Sequence, residues 1–286
     1  MWRYLKYELK KIWLGKALWF VLIASAVIAI CGFLFACSEN AKMVDCGSTL
    51  ETIYSAEQYT LLRGGGEIAS LTVQCVMPVF AVILAGTSYG QEKKSRLVSV
   101  LVCRGERHLY YKAKGIAVAI TGFFSSILPF LFSGFFAILA VPVKEVEPLL
   151  SMYLYEESSA TLYARETGHM LFPSLYLNAP MLDYLAHLLL IGLYGVALGL
   201  LAYGISFFFH KNQIVLLLLP MIISFTGLLS LYALKLDNYA VMSYFFTSAL
   251  TSISPNIFQF LGILLGFLLL DCLLIVAGVR KDRDVL

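Results

Sequence analysis

Charge is the scarcest property of this sequence. Asp, Glu, Lys and Arg make up 14% of its 286 residues, where soluble domains carry about 25%. Hydrophobic residues make up 60% and mean hydropathy is +0.82. An ordinary water-soluble domain is thereby excluded and an integral membrane protein is expected. The formal net charge of +3 is too small to point to nucleic acid. Catalytic signatures are scarce as well: the chain has no HExxH and no CxxC pair. The four histidines, His108, His169, His187 and His210, are scattered between the two sides of the membrane, so no metal site is expected. No GxxxxGK[ST] phosphate loop occurs either. The nearest stretch, GTSYGQEKKS at Gly86–Ser95, lacks a Gly followed directly by Lys-Ser or Lys-Thr. Any nucleotide energy must therefore be supplied by another polypeptide. The first apolar run ends in CGFLFACSEN, without a small-x-small cleavage site, and reads as a retained helix.

Long apolar runs are what the chain has in plenty. A span needs about 20 such residues, and six segments qualify: Ala17–Ala36, Ser70–Ser88, Gly115–Val141, Tyr184–Phe209, Gln213–Leu234 and Asn256–Val279, none with Lys or Arg inside. The expected fold is all-α and polytopic, one transmembrane domain over residues 1–286. Outer loops fall at 37–69, 142–183 and 235–255, and a cytoplasmic loop at 89–114. Orientation follows from the basic residues. Sixteen of the 21 Lys and Arg lie on one side: Arg3, Lys6, Lys10, Lys11 and Lys16, seven in loop 89–114, Lys211, and Arg280, Lys281 and Arg283. Both termini are placed in the cytoplasm, and the protein in the cytoplasmic membrane. The opposite loops are acidic, and Cys37 and Cys46 would pair there only if that side is oxidising.

The N-terminus, residues 1–16, reads as an interfacial amphipathic helix. Trp2, Leu5, Leu9, Ile12 and Trp13 recur at helical spacing and are expected to lie in lipid, with Arg3, Lys6, Lys10 and Lys11 on other faces. The first outer loop carries three successive glycines in LLRGGGEIAS, a hinge or turn. The second mixes acids with Tyr153, Tyr155, Tyr163, Phe172 and Tyr176, which suits a helical cap, an interfacial rim or a structured loop without a ligand. In the fourth span Gly195 and Gly199 form a GxxxG pair, extended by Gly192 and Gly204. Such a stripe lets helices approach closely, by default within one subunit and alternatively in a dimer. Tyr239–Leu250 is apolar but too short to cross, which suits a re-entrant or interfacial outer helix before the sixth span. Asp271 is the one acid deep in a span, at a cost of about 2.5–3.5 kcal/mol on a translocon scale. It is a candidate for a transport path, with Gln74 a weaker one, or it is a structural group bonded to a neighbouring helix.

The most charged stretch lies after the second span. In KSRLVSVLVC, Leu97, Val98, Leu101 and Val102 share one helical face, and RGER breaks the helix at Gly105. Alternation of Val98, Val100 and Val102 would also permit a strand, but an isolated strand at a membrane surface has no pairing partner. Here the sequence resembles the first cytoplasmic loop of type-2 ABC exporter permeases. The resemblance is carried by Glu92, Leu97, Leu101, Val102, Gly105, Arg107, Tyr110 and Lys114, and by Asn178, Pro180, Tyr184, Lys211, Asn212 and Pro220 around spans four and five. The chain departs from the family pattern at Lys94-Ser95-Arg96, at Glu106 and in the length of its second outer loop.

The resemblance implies that the chain is no enzyme but the permease subunit of an exporter. Two permeases, identical or homologous, would bind two separate ABC ATPase subunits that carry ATP and Mg. Lys94–Cys103 would be the coupling helix. Leu97, Val98, Leu101 and Val102 would supply docking area, and Glu92, Arg96, Arg104 and Arg107 charge pairing beside the Gly105 break. An apolar or amphipathic cargo, a peptide, antibiotic or lipid, fits spans with aromatic and aliphatic walls. The alternative is a membrane sensor or scaffold that binds a ligand through its outer loops without transport.

Overall fold

The computed structural model describes residues 1–45, 56–84, 88–94, 107–142, 171–209, 213–236, 239–245 and 256–283. Among these every regular element is helical and none is a strand. The helices are α1 (Trp2–Trp13), α2 (Lys16–Asp45), α3 (Leu61–Gly64), α4 (Gly66–Leu71), α5 (Met77–Ile83), α6 (Ser88–Lys94), α7 (Arg107–Ala140), α8 (Pro173–Asn178), α9 (Pro180–Ser206), α10 (Gln213–Ala233) and α11 (Ile257–Arg283).

Six segments are long and apolar enough to cross a membrane: Lys16–Glu39, Gly66–Gly90, His108–Ala140, Pro180–Ser206, Ile214–Ala233 and Ile257–Lys281. The protein is therefore a multi-pass helical membrane protein. Several boundaries differ from the sequence reading. The third helix starts well before Gly115 and carries Lys112 and Lys114 within it. Lys114 is accommodated because carboxylates meet it, as described below. The fourth helix starts at Pro180, a residue pre-organised for a helix N-terminus, and takes in Asp183. Between the first two spans α2 runs on to Asp45, and helical structure resumes before Ala69.

Burial ranks the spans. The most apolar stretch of α9 is 78% buried, whereas those of α2, α10 and α11 are 28%, 22% and 17%. Helix α9 is thus the hub, and α2, α10 and α11 present broad apolar faces outward, Trp19, Ile23, Leu218, Ile222, Leu265 and Leu269 among them. Close packing of α7 on α9 rests on missing side chains. A Cβ at Gly195 would lie 2.0 Å from Ser126 Oγ and 2.6 Å from the Gly122 carbonyl oxygen, and one at Gly122 would lie 2.7 Å from the Gly195 oxygen. Gly192 leaves room for Phe123, Gly199 for Val118 and the Ala81 carbonyl, and Gly204 for Leu274. Each of these contacts lies within one chain, where dispersion between close backbones replaces the hydrophobic drive that lipid cannot supply.

The second span is broken. Thr72–Val76 forms a π-helical turn just before Pro78. Pro78 has no N–H for the carbonyl four residues earlier and its ring crowds that turn, and a widened turn absorbs both effects. Ahead of it, Gly66 takes φ +48, a conformation costly to any residue with a Cβ. A Cβ there would also sit 2.8 Å from Phe35. The turn lets Leu61 bury fully against Gly32 of α2, with its backbone N–H donating to Ser133 Oγ at 2.6 Å. Of the expected outer helix at Tyr239–Leu250, only 239–245 is described. It holds a 3₁₀ turn, Val241–Tyr244, followed by Phe245, which stacks on Tyr194 and Phe260. The tyrosine-bearing stretch of the second outer loop up to Tyr163, and Cys46, lie outside the described residues.

Gly195→Val is expected to lower stability by about 1–3 kcal/mol through overpacking, measured as a drop in thermal unfolding temperature in detergent. Gly227→Ala, where nothing lies within 4 Å of the new Cβ, should stay within about 0.5 kcal/mol. Equal effects would show that the α7–α9 contact is not the tight one.

Candidate functional site

Charged side chains converge at the end of the bundle that carries the N-terminus. Helix α1 buries Leu5, Glu8 and Ile12 on one face, positions i, i+3 and i+7 of one stripe. Leu5 packs on Ala113 and Ala117 of α7, small residues that let α1 come close. This corrects the reading of α1 as a helix with a single lipid-facing apolar side. Trp2 and Trp13 are outward, each 71% exposed, but Leu5 and Ile12 face protein, with an acid between them.

Opposite Glu8 stands Lys114, 0% exposed and among the largest fully buried side chains. Its Nζ lies 2.5 Å from Glu92 Oε2 and 3.2 Å from Glu8 Oε2. Lys11 Nζ reaches the other Glu92 oxygen at 2.5 Å, and the Tyr110 hydroxyl donates to Glu92 Oε2. Three elements are thereby tied together: α1 through Glu8 and Lys11, the end of α6 through Glu92, and the base of α7 through Tyr110 and Lys114. Lys114 also lies 5.7 Å from the Tyr110 ring centroid, and Tyr4 meets the same ring edge-on at 6.3 Å.

The two carboxyls differ because their partners differ. Burial raises Glu92, but the charge of Lys114 and the hydrogen bonds from Lys11, Lys114 and Tyr110 outweigh it and hold the group below the ordinary carboxylate value. Glu8 is pushed up: burial dominates, and Lys114 offsets it only in part. Geometry agrees, since Glu8 Oε1 has no hydrogen-bond partner among the described residues. For Lys11, burial opposes the charge, and the hydrogen bond and charge of Glu92 more than offset it, so its pKa is raised.

An aromatic collar surrounds the cluster. Tyr89 of α6 stacks on Phe207 at 4.4 Å and meets Tyr203 edge-on at 6.0 Å. Tyr110 and Tyr111 of α7 are 5.4 Å apart, and Tyr111 lies 5.8 Å from Phe207. The Tyr203 hydroxyl donates to the Tyr111 carbonyl at 3.3 Å. Both flanks of residues 95–106 are therefore rooted in one packed block.

The sequence-derived site residues distribute unevenly. Glu92 is buried at 3% exposure and turned into the cluster. Arg96, Leu97, Val98, Leu101, Val102, Arg104 and Gly105 lie outside the described residues, and Arg107 opens α7. Asp271 is fully buried on α11, and neither of its oxygens finds a hydrogen-bond partner among the described residues. Gln74, on the π-helical turn, donates to Ser70 Oγ at 3.0 Å. No described hydrogen bond joins Gln74 to Asp271. Glu8 was missed by sequence reasoning, although its place between Leu5 and Ile12 on one helical stripe was a readable signal.

A second polar group sits at the opposite end. Arg63 Nη2 lies 2.5 Å from Asp183 Oδ2, and His187 Nδ1 donates to the Asp183 carbonyl at 2.9 Å. A carbonyl only accepts, so Nδ1 carries the proton, and Nε2 has no hydrogen-bond partner among the described residues. The Tyr184 hydroxyl donates to the Phe130 carbonyl at 2.5 Å. Among the described residues no group of His, Cys, Asp and Glu is arranged to hold a metal.

No family model, no curated protein and no solved structure matches this chain.

Removing one partner from a buried ion cluster strands the others, at about 3–5 kcal/mol. Lys114→Met is expected to cost that much in thermal or denaturant unfolding; a loss under about 0.5 kcal/mol would mean a solvated lysine. The pH dependence has two opposed parts. Glu92, depressed in the folded state, contributes stability that is present above its unfolded pKa and lost as pH falls through its folded pKa. Glu8, raised, makes the folded state gain as pH falls from its folded to its unfolded pKa. Glu92→Gln should remove the acid-side decline in unfolding temperature; an unchanged acid slope would rule out the clamped carboxylate.

Proposed function

We propose that this chain is the permease subunit of an ABC exporter in the cytoplasmic membrane, with both termini in the cytoplasm. It would be driven by separate ATPase subunits that bind ATP and Mg, and it would move an apolar or amphipathic cargo. The single observation that supports this reading most is the shared root of residues 95–106. Glu92 lies three residues before that segment, Tyr110 and Lys114 shortly after it, and all three join one buried cluster with α1. Force applied to a docked segment between such flanks passes to α1 and to the base of α7 together, because their charges cannot separate without leaving Lys114 unpaired at depth. The absence of a phosphate loop from the sequence fits a division of labour in which nucleotide is bound elsewhere.

In this mechanism two permeases pair, and the ATPases seat on Leu97, Val98, Leu101 and Val102, with Arg96, Arg104 and Arg107 setting orientation. ATP-driven closure pushes the segment, and the block of α1, α6 and α7 carries the motion against α9. Asp271 and Gln74 are the candidate polar groups of the transport path. A sensor reading would draw on the outer group Arg63, Asp183 and His187. Arg63 already joins the outer turn to α9 by its ion pair with Asp183, and His187 bonds the Asp183 carbonyl within α9, which serves the fold without a ligand.

The test is purification of the chain from its native membrane with identification of partners, followed by Leu101→Asp. The expected result is an ABC ATPase that co-purifies with the wild type and is lost in the variant, while insertion is unchanged. Retention of the ATPase by the variant would remove the coupling role of this face. Ligand binding at the outer loops with no ATPase partner would favour the sensor. Asp271→Asn with full transport activity would exclude a charge-dependent role for that acid.

A further inference from the structure

One cavity of about 650 Å³ lies apart from the ion cluster, at the same end of the bundle, between α7, α9 and α11. Its floor and walls are apolar or aromatic: Gly115, Ile116, Ala119, Leu200, Tyr203 and Ile275 are among them. The floor is firm, since Tyr203 is fixed by its hydroxyl bond to the Tyr111 carbonyl and stands 3.7 Å from where a Cβ on Gly115 would be. Ile116 and Val276, which line the opening, are 37% and 50% exposed, so the cavity opens sideways along the apolar face of the spans.

Its rim is of one sign. His108, Lys112 and Arg280 line it, and among the described residues no carboxylate does. Lys112 and Arg280 have no ion pair among the described residues, whereas Lys11 and Lys114 nearby are fully engaged. Positive-inside retention accounts for basic residues at this end in general. It does not account for their gathering around an apolar cavity open to the bilayer.

From this we propose that the cavity is a binding site for an anionic phospholipid of the leaflet adjoining the N-terminal end. The phosphate is held by Lys112 and Arg280, and the glycerol and upper acyl chain lie against Ile116, Ala119, Leu200 and Val276. Basic pockets between transmembrane helices favour anionic headgroups in this way. A soluble anion has no use for the apolar walls. A second copy of this chain offers the wrong sign, because this end carries most of the basic residues. The inference does not rest on the exporter reading.

The test measures retention of phosphatidylglycerol and phosphatidylcholine by the full chain, by native mass spectrometry and in nanodiscs of mixed composition. Phosphatidylglycerol should be held preferentially, and Lys112→Gln with Arg280→Gln should weaken it about tenfold or more, at about fivefold for each basic group near the surface. Lys10→Gln with Lys281→Gln, basic residues outside the cavity, should leave retention within about twofold. Ala119→Trp, which fills the cavity without changing charge, should also abolish it, and unfolding temperatures check that each variant is folded. Equal retention of the two lipids, an equal loss in the Lys10 and Lys281 variant, or full retention by Ala119→Trp would each overturn the site. Displacement of the lipid by millimolar inorganic phosphate alone would identify a soluble anion as the occupant and overturn the lipid assignment.

Discussion

A fully buried lysine between two glutamates holds the base of this protein together. Lys114 has no water to turn to, so its ammonium is tolerable only while Glu92 and Glu8 remain beside it. Those carboxylates come from α6 and α1, and the geometry of three helices is therefore set by one side chain. Lys11 and Tyr110 complete the coordination of Glu92, and this is why that acid stays charged while Glu8, with one oxygen unbonded, is pushed the other way. The asymmetry makes Glu92 the fixed point of the cluster and Glu8 its softer arm.

Packing above the cluster follows a different rule. In lipid there is no hydrophobic gain in bringing apolar helices together, so α7 and α9 meet where side chains are absent, at Gly122, Gly192 and Gly195. Below that contact the Tyr89, Tyr111, Tyr203 and Phe207 collar passes the fit on to α6. The outward faces of α2, α10 and α11 stay apolar and largely uncovered. The result is a stiff centre of α1, α6, α7 and α9, with the remaining spans arranged around it.

Much of the fold was legible because the bilayer imposes a length and a polarity that can be counted. Six apolar runs of the right size became six long helices. The glycine stripe of α9 was visible as a pattern, although its partners were not, since spacing alone does not say which helix supplies Ser126 or Leu274. The helix of the third span extends back to Arg107, and Lys112 and Lys114 look like a flank until their surroundings are known. Lys112 does face outward, but Lys114 is neutralised across sequence distances of 22 and 106 residues, and no local pattern reveals that. Glu8 was overlooked because a lone acid on a basic amphipathic helix looks like surface, although it shares a stripe with Leu5 and Ile12. The π-helical turn before Pro78 and the positive φ of Gly66 depend on tertiary neighbours and leave only the residues themselves as hints.

The account assigns to the Lys114 cluster the joining of α1 to the two flanks of residues 95–106, and hydrogen exchange tests this most directly. Amides of α1 in the wild type should be protected, and Lys114→Met should raise their exchange about tenfold or more while α10 and α11 are unaffected. If α1 remains equally protected in the variant, lipid and Leu5 hold that helix, and the cluster is not what ties it to the bundle.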